Sequence, residues 1–375
     1  MFLKKIFIII TIIGFQVAKA QEYSVNFNVQ TDTETKEIIA LWQDYLKSND
    51  RKHWNQNEVK DFKNVNFQNM PSLLNPPLLD WKLNNRVLSI TPLSKQVYLL
   101  KSIFFNNENQ IFATTNIIVK KVEDEFKLSN FIYDYTNKWN VKQSTNIKYI
   151  ATPSFKIKRS EVRKAEQFFR NLCAVFDITP QPITYFIAKD CDDIYTALGY
   201  DYFISKGMGT ECGYFEPDNN FVFATKTGGA NHYHELVHFI NKFYPNANYL
   251  LLTGISAYIS GEKAHFGKSI HYHIKRVNDY LNKHSAIDLS NPFDFYYMDE
   301  ETNPQYVIGA LLCDLIIERK NKQELINVFK NDGTDEALLD YLKKDVLKPS
   351  ESLDQVLRNK IKNISQQKKF KNKLL

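Results

Sequence analysis

Between Thr35 and Leu46 the apolar positions Ile38, Leu41, Trp42, Tyr45 and Leu46 recur at three- and four-residue spacing, which predicts an amphipathic helix. Further on, alternation replaces that period. Arg86–Thr91, Gln96–Phe105, Gln110–Val122 and Glu125–Tyr135 read as strands, with turn formers at 106–109 and 123–124 between the last three. A leading helix and an antiparallel meander predict a small α+β unit over residues 21–144. After Ser144 the pattern changes. Asn146–Ala151, Ile183–Ala188 and Asn220–Thr225 read as strands, and Val162, Ala165, Phe168, Phe169, Leu172, Val175 and Phe176 form a helical stripe with Ser160 as its N-cap. Beyond residue 230 nearly every segment carries the helical period. The fold class expected is α+β throughout, mostly helical in the C-terminal half, without internal repeats.

The first twenty residues are set apart. Lys4 and Lys5 precede an uncharged run from Ile6 to Phe15, and Ala18-Lys19-Ala20 is a small-x-small cleavage signal before Gln21. This is the form of a secretory signal peptide, cut after Ala20. The apolar run is shorter than the roughly 20 residues a membrane span needs. Since no cysteine follows the cut, a lipid anchor is not expected. The expected location is secreted or periplasmic.

In the 375 residues, the aromatic share is 14% and the hydrophobic share 43%, enough to fill cores in two domains and to exclude global disorder. The formal net charge is +6, which removal of Lys4, Lys5 and Lys19 lowers to +3. From Gln355 to Leu375 there are seven cations and no acid. Residues 365–375 therefore read as a basic tail, either solvated or in weak contact with an anionic envelope surface. Nucleic acid is not an expected partner of an exported chain. Export permits disulfides. Cys173, Cys191, Cys212 and Cys313 allow three pairings. Cys191 and Cys212, in loop-like surroundings, are the best pair, while Cys173 and Cys313 sit in helical apolar patterns and read as buried thiols.

The chemistry concentrates at His234-Glu235-Leu236-Val237-His238. On a helix, histidines four apart stand one turn apart on one face, so both imidazoles can reach one Zn2+ ion. A bound zinc lowers the pKa of water from about 15.7 to about 7. Glu235, beside the first ligand, can take that proton and return it to a leaving amine. A strand-like segment and a Gly228-Gly229 loop precede the motif, and Phe239, Ile240 and Phe243 give its helix an apolar side.

Together these residues resemble the gluzincin metallopeptidases, in particular the peptidase MA-like domains, over residues 145–364. The resemblance rests on the strands and helix before the motif, the HELVH itself, a second helix after a short connection, and a Tyr306-x-x-Gly309 helix. It implies a zinc peptidase acting on a peptide or protein substrate, with His234 and His238 on the metal and Glu235 as the base. It also implies a third ligand, the Glu of an E-G-x-A-x-Y segment. The matching segment here is Thr253-Gly254-Ile255-Ser256-Ala257-Tyr258, so a neutral hydroxyl stands where the ligand is expected. Glu262 lies nine residues on, about 13.5 Å along a continuous helix. His271-Tyr272-His273 would share a face on a strand, and His265 and His232 are also nearby in sequence. Tyr258 and Tyr306 are expected to pack in the core. The N-terminal unit weakly resembles the NTF2-like fold. Loss of the third carboxylate supports an alternative, a catalytically impaired gluzincin-fold protein that binds a peptide, glycan or partner outside the cytoplasm.

Overall fold

The computed structural model describes residues 21–55, 81–204, 212–217, 219–261, 267–331 and 333–375. The signal peptide, the Pro71–Pro77 stretch, Glu262 and His265 lie outside them.

The chain is α+β, with two mixed sheets. In the first, β1 (Tyr23–Val25) pairs in parallel with β2 (Asn84–Ser94), and β2, β3 (Val97–Phe105), β4 (Ile111–Val122) and β5 (Glu125–Ser129) form an antiparallel meander. Helix α1 (Thr33–Ser48) starts where the Asp32 side chain accepts from Thr35 N. It lays Ile38, Trp42, Tyr45 and Leu46 against this sheet's core. The Trp42 indole, buried by that packing, donates to Asn85 Oδ1 at 2.9 Å. The strand expected over Glu125–Tyr135 stops at Ser129. Asn130 opens a short helix, α2 (Phe131–Tyr135), whose Phe131 and Tyr135 rings meet one turn apart at 5.7 Å.

The second sheet runs β10-β11-β8-β7-β6, built from β6 (Asn140–Gln143), β7 (Ile147–Ala151), β8 (Ile183–Ala188), β10 (Gly213–Glu216) and β11 (Phe221–Thr225). The three inner strands are parallel and the two outer ones antiparallel to their neighbours. Every residue of β11 is buried, as expected when both faces of a parallel pair are covered. On one face lies α3 (Arg159–Val175), with Val162, Ala165 and Phe169 against Tyr149 and Tyr185. Its N-cap is Lys158, which makes no side-chain bond, so the expected cap Ser160 falls inside the first turn.

The sheets do not part at residue 144. Residues 140–143 belong to the second sheet. Conversely, β9 (Tyr200–Phe203), which follows α4 (Cys191–Ala197), returns to pair with the first half of β4, whose second half pairs with β5. Cys191 and Cys212 form a disulfide with Cα atoms 5.7 Å apart, whereas Cys173 and Cys313 remain buried thiols, as the sequence suggested.

The remainder is helical: α5 (Tyr233–Asn241), α6 (Tyr249–Ser260), α7 (Ile270–Lys283), α8 (Pro304–Arg319), α9 (Lys322–Lys330), α10 (Asp335–Tyr341) and α11 (Leu353–Ser365). A single large apolar core joins them. The basic tail is not simply a solvated end. Leu374 is buried, Phe370 packs on Tyr258 at 5.4 Å, and Lys373 N donates to Tyr258 Oη at 3.0 Å. Lys360 pairs with the buried Asp314 at 2.5 Å, and Lys373 pairs with Glu318. Lys362, Lys368, Lys369 and Lys371 stay exposed. No described helix is long and apolar enough to cross a membrane.

Candidate functional site

The HELVH segment is helical, and its entry is fixed from below by two buried tyrosines. Tyr185 Oη, on β8, donates to Gly229 O at 2.9 Å, and Tyr149 Oη, on β7, donates to Ala230 O at 3.1 Å. Gly229 takes φ +70° in this turn, a region that costs an L side chain steric strain. His232 N donates to Tyr185 Oη at 3.1 Å, and α5 starts at the next residue. Tyr149 and Tyr185 sit in ordinary strand patterns, and nothing local marks them as the residues that set the helix in place.

On α5 the His234 and His238 rings lie 4.9 Å apart, centroid to centroid, as the spacing required. His238 Nδ1 is engaged by Asn241 Nδ2 at 2.9 Å and faces Ser256 Oγ at 3.4 Å, so Nε2 points away from both. Such second-layer contacts fix the orientation of an imidazole. Burial pulls the His238 pKa down to about 4, which keeps the ring neutral. Glu235 is buried between them in sequence, and burial pushes its carboxyl up to about 8. No cationic partner contributes to that shift.

Gly213, the first residue of β10, lies against Glu235. A Cβ there would fall 2.9 Å from Glu235 Cγ and 3.0 Å from His232 Cε1. The strand preceding the motif helix in the sheet's outer row therefore reaches the carboxylate only because this position has no side chain. On the far side, Tyr306, at the start of α8, has its ring 5.6 Å from that of His234. The phenol is pushed well above its ordinary pKa by burial, with the nearby Tyr249 and Glu235 adding to the shift. Tyr306 packs, partly buried, against the helical core as expected, and it also borders the motif. Tyr258 is in the core, donating to the buried Asp314 at 3.1 Å.

Thr253 is buried on α6, one turn before Ser256, on the helix that packs against α5. The H-x-H pair does not share a face. Ser269 caps α7 by accepting from Tyr272 N, so His271 and His273 are helical and roughly 200° apart around the axis. His273 Nδ1 is bonded to Thr302 Oγ1 at 3.0 Å, inside the protein. Among the described residues, no group of three or more His, Cys, Asp or Glu side chains converges where a metal ion could sit. The pair His234 and His238 nevertheless suits a divalent ion in two respects: both are on one helical face, and among the described residues no cation offsets the buried carboxyl beside them.

No protein-family profile matches the chain, and no curated protein matches it either.

Proposed function

We propose that the chain is an exported zinc metallopeptidase of gluzincin type that hydrolyses peptide bonds, with His234 and His238 holding the metal and Glu235 acting as general base. The observation that carries this is the buried Glu235 carboxyl flanked by two imidazoles on one helical face. Zinc at that point would supply a Lewis acid and a water acidic enough to attack at neutral pH. It would also supply the positive charge that the buried carboxyl lacks, which lowers the cost of ionising it.

Glu235 accepts the proton of the attacking water and hands it to the departing amine. Asn241 and Ser256 hold His238 by Nδ1 and leave Nε2 available. Tyr306 borders His234 and can donate to the oxygen on which charge develops. An extended substrate added to β10, the outer strand of its sheet among the described residues, would pass Glu235 at Gly213. The N-terminal helix-on-sheet unit is read as NTF2-like. The chain is read as secreted or periplasmic, its exposed tail lysines in weak contact with an anionic envelope surface.

A casein-degradation assay tests the reading. The purified protein should cleave, and Glu235→Gln should abolish cleavage with zinc still bound. Undiminished cleavage in that variant would remove Glu235 from the mechanism. Thr253 at the third-ligand position favours the second reading, a gluzincin-fold binding module without catalysis. On that reading neither protein cleaves and both carry little zinc.

A further inference from the structure

From Lys138 to Arg170 the chain has nine Lys or Arg and only two acids. The fold gathers most of these cations on one surface. Arg159, Arg163 and Arg170 lie within about 40° of one another around α3, about 100° round the helix from its buried Val162, Ala165 and Phe169. All three are exposed. Lys156 and Lys158 stand in the loop that enters the helix, and Lys142 reaches the same loop from β6, donating to Ile157 O at 3.3 Å. The two acids are already engaged: Glu161 pairs with Lys158 at 3.2 Å, and Glu166 turns inward to accept from Ser144 Oγ and Asn146. A pocket of about 410 Å3 opens on this face between α3 and the start of α5, lined by Ser160, Arg163, Lys164, Gln167 and Tyr233. Each lining side chain can donate a hydrogen bond, and none is a carboxylate.

We infer that this face docks the protein on an anionic lipid bilayer, with the pocket receiving a phosphate headgroup. Arg163 and Lys164 at the pocket, within a field of cations, favour an anion. A folded acidic protein is a poorer fit, since protein interfaces place charge at the rim of an apolar centre and this face has no such centre. A bilayer fits the rest of the surface. Half-buried Phe155, Ile157 and Tyr233 pack against the protein's own core, so this face presents mainly its cations, and charge alone attracts it to an anionic headgroup layer. The basic tail contributes less, because Arg358, Lys360 and Lys373 are already paired with Asp354, Asp314 and Glu318.

Co-sedimentation of the purified protein with vesicles tests this. One set contains phosphatidylglycerol and phosphatidylcholine in equal parts; the other is phosphatidylcholine alone and reports any insertion of the apolar run at 6–15. Each cation near an anionic surface is worth about fivefold in partitioning. Binding should therefore require phosphatidylglycerol, weaken with salt, and fall at least tenfold in an Arg159→Gln, Arg163→Gln, Arg170→Gln variant whose melting is unchanged. A Lys368→Gln, Lys369→Gln, Lys371→Gln variant should lose less. Absence of phosphatidylglycerol-dependent binding overturns the inference, as does a greater loss in the tail variant. Retention on heparin or duplex DNA without vesicle binding also overturns it, pointing to a different polyanion.

Discussion

Gly254 on α6 and Gly309 on α8 stand backbone to backbone. A Cβ on Gly254 would fall 2.0 Å from the Gly309 carbonyl carbon, and one on Gly309 would fall 2.1 Å from Leu250 O. The two helices cross at a distance that only glycine permits. This crossing sets where Tyr306, one turn before Gly309, meets His234, and where Ser256, two residues after Gly254, reaches His238.

Gly309→Ala should therefore cost about 3 kcal/mol, the upper end of ordinary overpacking, because rigid backbone rather than a side chain must yield. The melting temperature should drop by roughly 4 °C, as differential scanning calorimetry would show. A shift within error would mean that the helices can separate freely.

Glu235 gives a pH signature in the metal-free protein. Its carboxyl is raised from 4.5 to about 8 by burial. The folded state therefore holds a proton that the unfolded state releases, and this contribution is complete below about pH 4.5 and lost as pH rises through about 8. Glu235→Gln removes the penalty. The metal-free variant should outlast the parent by a few kcal/mol in urea at pH 9 and match it at pH 4. Equal stabilities at both pH values would show that the carboxyl is solvated.

The disulfide ties α4 to the residue before Gly213, so it braces the strand that lies against Glu235. It closes a loop of sequence separation 21, and its loss should cost about 3 kcal/mol. Denatured, unreduced protein should titrate two thiols rather than four. A double Cys191→Ser, Cys212→Ser variant should melt lower. Four thiols in the unreduced protein would disprove the pairing.

Asp314, with its side chain 3% exposed, accepts from Tyr258 and pairs with Lys360, itself 10% exposed. Asp314→Asn removes one of the two carboxylates that Lys360 holds, leaving it Glu318 at 2.5 Å, at a cost of about 1.5–3 kcal/mol. The tail packed on Tyr258 should loosen with it. Limited trypsin digestion should cleave near Lys368 and Lys371 faster in the variant than in the parent. Unchanged digestion would mean that Phe370 and Leu374 hold the tail by themselves.

What could be read in advance was local. The helical spacing of His234 and His238, the strands of the meander and the loop-like settings of Cys191 and Cys212 each depend on neighbours a few residues away. What could not be read depends on distant partners. Tyr200 to Phe203 pair with β4 across about eighty residues of chain, and nothing in that segment names its partner. His271 and His273 would share a face only on a strand, and Ser269 caps a helix there instead. Tyr306 reaches His234 only through a helix crossing between two glycines that are far apart in sequence. The meaning of Gly213 lies in the carboxylate beside it, which is distant in sequence.

The central claim is that two imidazoles one turn apart hold a divalent ion. Elemental analysis by mass spectrometry of protein purified without added metal tests it most directly. About one zinc per chain in the parent, and almost none in His238→Ala of unchanged fold, is the predicted result. A parent chain that carries no zinc and takes up none when equilibrated with a small excess would contradict it.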